Sequence, residues 1–86
     1  MTKVIVVDDD PDFVEIVSII LRKEGYEIDS AADGDAALTK MRASPPDILL
    51  LDVMMSTVLD GVNVSFAMSE DPQLKSVPIV MISSSR

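Results

Sequence analysis

The sequence predicts an α/β protein built on a doubly wound parallel sheet, in three layers with strand order 2-1-3-4. Three observations carry this. Short apolar runs recur at Val4–Val7, Ile48–Leu51 and Ile79–Ile82. Helical patterns separate them, so strands and helices alternate as βαβαβαβ, the order that makes a parallel sheet with helices on both faces. One strand, Tyr26–Ser30, alternates polar and apolar residues instead, as an edge strand does.

Val4–Val7 is β-branched and stops at Asp8, so it reads as a buried strand. Asp10-Pro11 then supplies an N-cap with proline at the first helical position. Phe13, Ile16, Val17 and Ile20 follow at i, i+3, i+4 and i+7, which predicts the buried face of a first helix. Arg22 and Lys23 suit its last turn and Gly25 its C′ position. After Tyr26–Ser30, Asp33-Gly34 opens a second helix carrying Ala36, Ala37, Leu38 and Met41, and Pro45-Pro46 ends it. Ile48–Leu51 closes with Asp52. A loop ending at Asp60-Gly61 leads to a weaker helix around Val62–Ser69, and Pro78 precedes the last run, closed by Ser83. The apolar runs should be covered on both faces. The order 2-1-3-4 does this for the first and third strands but leaves the fourth at an edge. An uncovered apolar edge invites pairing with another chain, so a further strand, or self-association through strand 4, is expected there.

Composition narrows the chemistry. The 86 residues suffice for one domain, and fifteen acids against seven bases give a net charge of −8. Such a chain repels nucleic acid and anionic membranes, so direct binding to either is not expected. Cysteine and histidine are absent, which excludes disulfides, thiolate and imidazole catalysis and ordinary zinc sites. No apolar run approaches the roughly 20 residues that span a bilayer. A cytoplasmic domain is expected.

In a parallel sheet the C-terminal strand ends share one rim, and ligands bind there where the strand order reverses. Strand 1 ends in Asp8-Asp9, strand 3 in Asp52 and strand 4 in Ser83, so three strands deliver polar groups to that rim. Clustered carboxylates repel one another, and a hard divalent cation such as Mg²⁺ relieves the repulsion. An Asp carboxylate can attack phosphorus to form an aspartyl phosphate. Asp10 and Asp12 have a simpler reading, as N-cap and first-turn acid. Ser83 is followed by Ser84 and Ser85, and such a run alone reads as a solvated loop. Met54, Met55 and Met68 read as packing residues, and Lys3, Lys23, Lys40 and Lys75 as solvated.

These segments resemble the receiver domains of two-component response regulators. The matching stretches are Val4-Ile5-Val6-Val7-Asp8-Asp9-Asp10, Ala32-Asp33-Gly34-Asp35-Ala36-Ala37-Leu38, Pro46-Asp47-Ile48-Leu49-Leu50-Leu51-Asp52-Val53-Met54-Met55, Asp60-Gly61 and Val77-Pro78-Ile79-Val80-Met81-Ile82-Ser83-Ser84. The resemblance covers residues 1–86 and implies the flavodoxin-like fold, without its fifth strand in the residues present, as a receiver incomplete at its C-terminus. It implies that Asp52 is the phosphoacceptor and that a sensor histidine kinase or phosphotransfer protein is the donor. Mg²⁺ would be held by Asp8, Asp9, Asp52 and the backbone carbonyl of Met54. Ser83 would bond the phosphoryl group as the switch hydroxyl, and Ser84 would keep access open. Such a domain catalyses its own aspartyl phosphorylation and dephosphorylation without being a conventional turnover enzyme, and it signals to a downstream effector. Two departures stand out. Ser56 replaces the family's usual loop proline, and Asp60 lies one residue later than usual. The residues present also stop before the family's conserved lysine.

Two other readings compete. Asp8-x-Asp10 after an apolar strand resembles the first motif of haloacid-dehalogenase-type phosphatases, with Asp8 as nucleophile and Asp10 as general acid. Asp12 stands where that motif has Thr or Val, and Asp52 would then have no role. The other is a receiver-like interaction module that takes no phosphate.

Overall fold

The computed structural model describes residues 1–52 and 58–82. Four strands, β1 (Lys3–Val7), β2 (Glu27–Ala31), β3 (Ile48–Asp52) and β4 (Ile79–Ile82), alternate with three helices, α1 (Pro11–Lys23), α2 (Gly34–Ala43) and α3 (Val58–Glu70). The strands form one parallel sheet in the order β2-β1-β3-β4. This is the predicted fold class and strand order.

Alternation along the strands sorts the core into two layers. Ile5, Val7, Leu49 and Leu51 point to one face and pack with Ala37 and Met41 of α2 and Val64 and Met68 of α3. Val4, Val6 and Ile28 point to the other face and pack under Val14, Val17 and Leu21 of α1. Among the described residues one face therefore carries two helices and the other carries one.

The helix ends are built by local chemistry. Asp10 caps α1 by accepting a hydrogen bond from the Asp12 N–H at 3.0 Å, with Pro11 at the first helical position. At the other end, Gly25 takes φ 94°. The Gly25 and Tyr26 N–H groups then bond back to the carbonyls of Arg22 and Leu21. This paired closure requires a left-handed residue, which is why glycine stands there. Asp33 caps α2 by accepting from the Ala36 N–H at 2.8 Å.

Several expectations shift in detail. The first helix does not bury Phe13, Ile16, Val17 and Ile20 together: Ile16, Ile19 and Ile20 are each more than half exposed, and the inner face runs through Val14, Val17, Ser18 and Leu21. Seven apolar residues between Phe13 and Leu21 make two overlapping stripes, and packing on β1 and β2 selects one. β2 begins at Glu27, one residue later than predicted. α3 begins at Val58, so Asp60-Gly61 falls inside the helix and not in the preceding loop. The turn preference of Asp-Gly is local, and an acid in a first turn also suits the helix dipole. Leu74, in the connection to β4, is fully buried and was not anticipated. Among the described residues β4 is the edge, with Val80 and Met81 exposed and Met81 beside Val62 and Phe66 of α3.

Two of the lysines read as solvated make specific bonds across elements. The Lys3 ammonium donates to the Ser44 carbonyl and hydroxyl. Lys40 pairs with Asp29 at 3.0 Å and donates to the Ser30 carbonyl, tying α2 to β2. Partial burial alone would raise the Asp29 carboxyl. The Lys40 hydrogen bond, the Ser30 N–H and the charges of Lys40 and Lys3 outweigh it and hold the group below the usual carboxylate range. Because the folded value is depressed, this stabilisation is complete above the unfolded value and is lost as pH falls through the folded one. Both side chains are more than two-fifths exposed, so solvent screens the pair. Asp29→Asn is expected to lower stability at pH 7 by less than about 1 kcal/mol. Urea unfolding should show that gap shrinking below about pH 4 and closing as the wild-type carboxyl protonates. A gap that persists unchanged in acid would contradict this account.

Candidate functional site

The strand order places β1 beside β3 at the centre of the sheet, and their C-terminal ends deliver the acids. Val7 and Leu51 are register partners, so the next step brings Asp8 alongside Asp52. Adjacent strands lie about 5 Å apart, which makes the two carboxylates neighbours. Both are buried, Asp8 at 3% and Asp52 at 1% exposure. The Asp8 Oδ1 atom accepts from the Asp10 N–H at 3.0 Å, and the Asp8 N–H donates to the Ala31 carbonyl at 3.1 Å. These bonds fix the turn from β1 into α1. Asp9, the next residue, is exposed at the mouth of the rim.

β4 contributes a third strand end, with Ile82 in register with Asp52. Met54, Ser83 and Ser84, the other expected site residues, lie outside the described residues, as do Ser56 and the side chain of Asp60. The rim also has a part that sequence reasoning missed. A depression of about 320 Å³ beside Asp8 and Asp9 is lined by Pro11, Val14, Ser30, Ala31 and Ala32. The end of β2 therefore borders the site. The only sequence signal for this was the strand order, which puts β2 next to β1.

Two buried carboxylates side by side form a costly arrangement. Each loses hydration, and each repels the other. Among the described residues no group of three or more acids is arranged to hold a metal by itself. Mg²⁺ takes hard oxygen ligands, often through one or two carboxylates, and keeps several waters. The donors present, the carboxylates of Asp8, Asp52 and the exposed Asp9, are hard oxygens of the kind that ion takes. Asp10, by contrast, spends its carboxylate on the α1 cap and lies outside the pair.

Comparison with known proteins agrees with this geometry. The family model for the response regulator receiver domain matches residues 4–86. The DNA-binding response regulator MtrA of Mycolicibacterium smegmatis is 40% identical over 80 residues, which cover 93% of this chain and 33% of that protein. The response regulator PleD of Caulobacter vibrioides is 39% identical over 93% of this chain and 17% of its own length. Among solved structures, the N-terminal domain of a response regulator receiver protein from Methanoculleus marisnigri superposes with a TM-score of 0.88 at 32% identity, covering 99% of this chain and 68% of that one. The chemotaxis response regulator CheY4 of Vibrio cholerae gives 0.85 at 38% identity, covering 94% and 67%. The chain thus spans about a third of the length of MtrA and about two thirds of the solved receivers. With its sheet order, its buried acid pair and a match running from Val4 to Arg86, the chain belongs to the response regulator receiver domains of two-component systems.

Proposed function

We propose that Asp52 accepts a phosphoryl group from the phosphohistidine of a sensor kinase or phosphotransfer protein. The observation that carries this is the burial of Asp52 at the end of β3, beside Asp8 on the neighbouring strand. A carboxylate oxygen of Asp52 forms the new P–O bond as the P–N bond to the donor imidazole breaks. The departing nitrogen keeps the bonding pair and takes up a proton. Asp8, Asp9, Asp52 and the Met54 carbonyl would hold Mg²⁺, which offsets negative charge on the transferring group and on the attacking carboxylate. Ser83 would hydrogen-bond the phosphoryl group, and Ser84 would leave its approach open. The resulting signal passes to an effector outside these residues, in the cytoplasm. Among the described residues no helix is long and apolar enough to cross a membrane.

The match to the receiver family over residues 4–86 weighs against the phosphatase reading. The test is direct. Incubation with acetyl phosphate and Mg²⁺ should add the mass of one phosphoryl group, labile to hydroxylamine, on the peptide carrying Asp52. Asp52→Ala should abolish it. Label on Asp8 would end the receiver reading, and no uptake in the presence of Mg²⁺ would favour a phosphate-independent module.

A further inference from the structure

The first helix carries two apolar stripes, and the sheet covers only one of them. Val14, Val17, Ser18 and Leu21 form the inner face of α1. Ile16 and Ile19 belong to the other stripe and stay 58% and 53% exposed. The exposed Asp12 and Lys23 complete a row with them, spaced by four, three and four residues. At 3.6 residues per turn that spacing lines the four side chains along one side of the helix. It is the side opposite Val14, Val17, Ser18 and Leu21, so the row points away from the sheet.

The ends of this row have a local explanation and its middle does not. Asp12 in the first turn and Lys23 in the last suit the helix dipole. Isoleucine gains nothing comparable on a solvated helix face. Its branched side chain lowers helix propensity, and a helix that is apolar on both sides is normally covered on both. Ile20 lies beside the row and is also more than half exposed, which widens the apolar strip. An apolar strip rimmed by charge has the make-up of a protein contact surface.

The order of the row says what fits it. From the N-terminus it reads acid, isoleucine, isoleucine, base, and read backwards it is its own complement. Two copies of α1 laid antiparallel about a two-fold axis bring Asp12 of each against Lys23 of the other. The same register sets Ile16 of each against Ile19 of the other. An interface that uses one patch twice requires this self-complementarity, and the four-three-four spacing is the seam along which paired helices pack. Among the described residues, ion pairs within the chain engage neither end of the row. We infer that the outer face of α1 is a docking surface for a second copy of this chain, paired antiparallel through Asp12, Ile16, Ile19 and Lys23.

Sedimentation of the 86-residue chain tests this. The net charge of −8 on each copy opposes association, so the measurement is made at about 0.15 M salt, which screens charge beyond about 8 Å. Mass should rise from monomer to dimer with concentration, and Ile16→Lys should weaken the dimer by about tenfold. Asp12→Lys alone sets lysine against lysine across the interface, and Lys23→Asp alone sets aspartate against aspartate, so each should be monomeric by itself. Mixed in equal amounts, the two variants restore both ion pairs and should dimerise as the wild type does. This rescue separates a lost contact from a misfolded variant. A wild-type chain that is monomeric at every concentration would overturn the inference. So would a dimer indifferent to Ile16→Lys, which would place the contact on another surface such as the β4 edge, and so would a mixture of the two charge variants that stays monomeric. The readout needs neither Mg²⁺ nor a phosphodonor, so it stands apart from the phosphoacceptor reading.

Discussion

The constraint on which the rest of this structure depends is the burial of two carboxyl groups at neighbouring strand ends. Asp8 and Asp52 end neighbouring central strands, and both are almost wholly removed from water. Removing an ionised group from water in such a position costs several kcal/mol. A sheet can hold them only if the strands beneath are strongly anchored. The run Val4–Val7 and the residues Leu49 and Leu51 are all but fully buried directly below the acids, between α1 on one side and α2 with α3 on the other. The turn at Asp8–Pro11 then fixes the acid end of β1, because the Asp8 carboxylate accepts from the Asp10 N–H and Asp10 caps the helix that follows. The apolar interior thus stabilises a polar arrangement that is unfavourable by itself, as sites poised for a cation commonly are.

Much of this was legible in the residues, for identifiable reasons. A strand buried on both faces must be apolar throughout, so Val4–Val7 and Ile48–Leu51 announced central strands, while the alternation at Glu27-Ile28-Asp29 announced an edge. From those assignments the order β2-β1-β3-β4 followed, and with it the meeting of Asp8 and Asp52. What was not legible depended on tertiary choice. α1 offers two apolar stripes one residue apart in phase, and only its seat on β1 and β2 decides between Ile20 and Leu21. Leu74 lies in a polar connection, and its burial follows from how that connection folds back against α3 and β3. The start of α3 was obscured because Asp60-Gly61 satisfies both a turn and a helical first turn. The border formed by Ser30 and Ala31 needed the register between β1 and β2.

Charge links the site to the whole molecule. The composition alone made this an acidic chain, but topology concentrates the acids, because every β-to-α junction of a parallel sheet opens on the same rim and the starts of α1 and α2 each carry a capping Asp. Arg22 and Lys23 close α1 at the opposite end, where bases suit the helix dipole. Local helix chemistry, repeated over parallel units, thereby gathers acids at the rim that carries Asp8 and Asp52.

The central claim is that the Asp8–Asp52 pair is held under repulsion that a divalent cation relieves. Urea unfolding of the wild-type chain and of Asp52→Asn, each with and without Mg²⁺, tests it most directly. Removing one of two adjacent buried charges should make Asp52→Asn more stable than wild type without the cation, by about 1–3 kcal/mol, and Mg²⁺ should stabilise the wild type far more than the variant. An Asp52→Asn chain that is less stable than wild type in the absence of Mg²⁺, and that gains as much from the cation, would contradict the account.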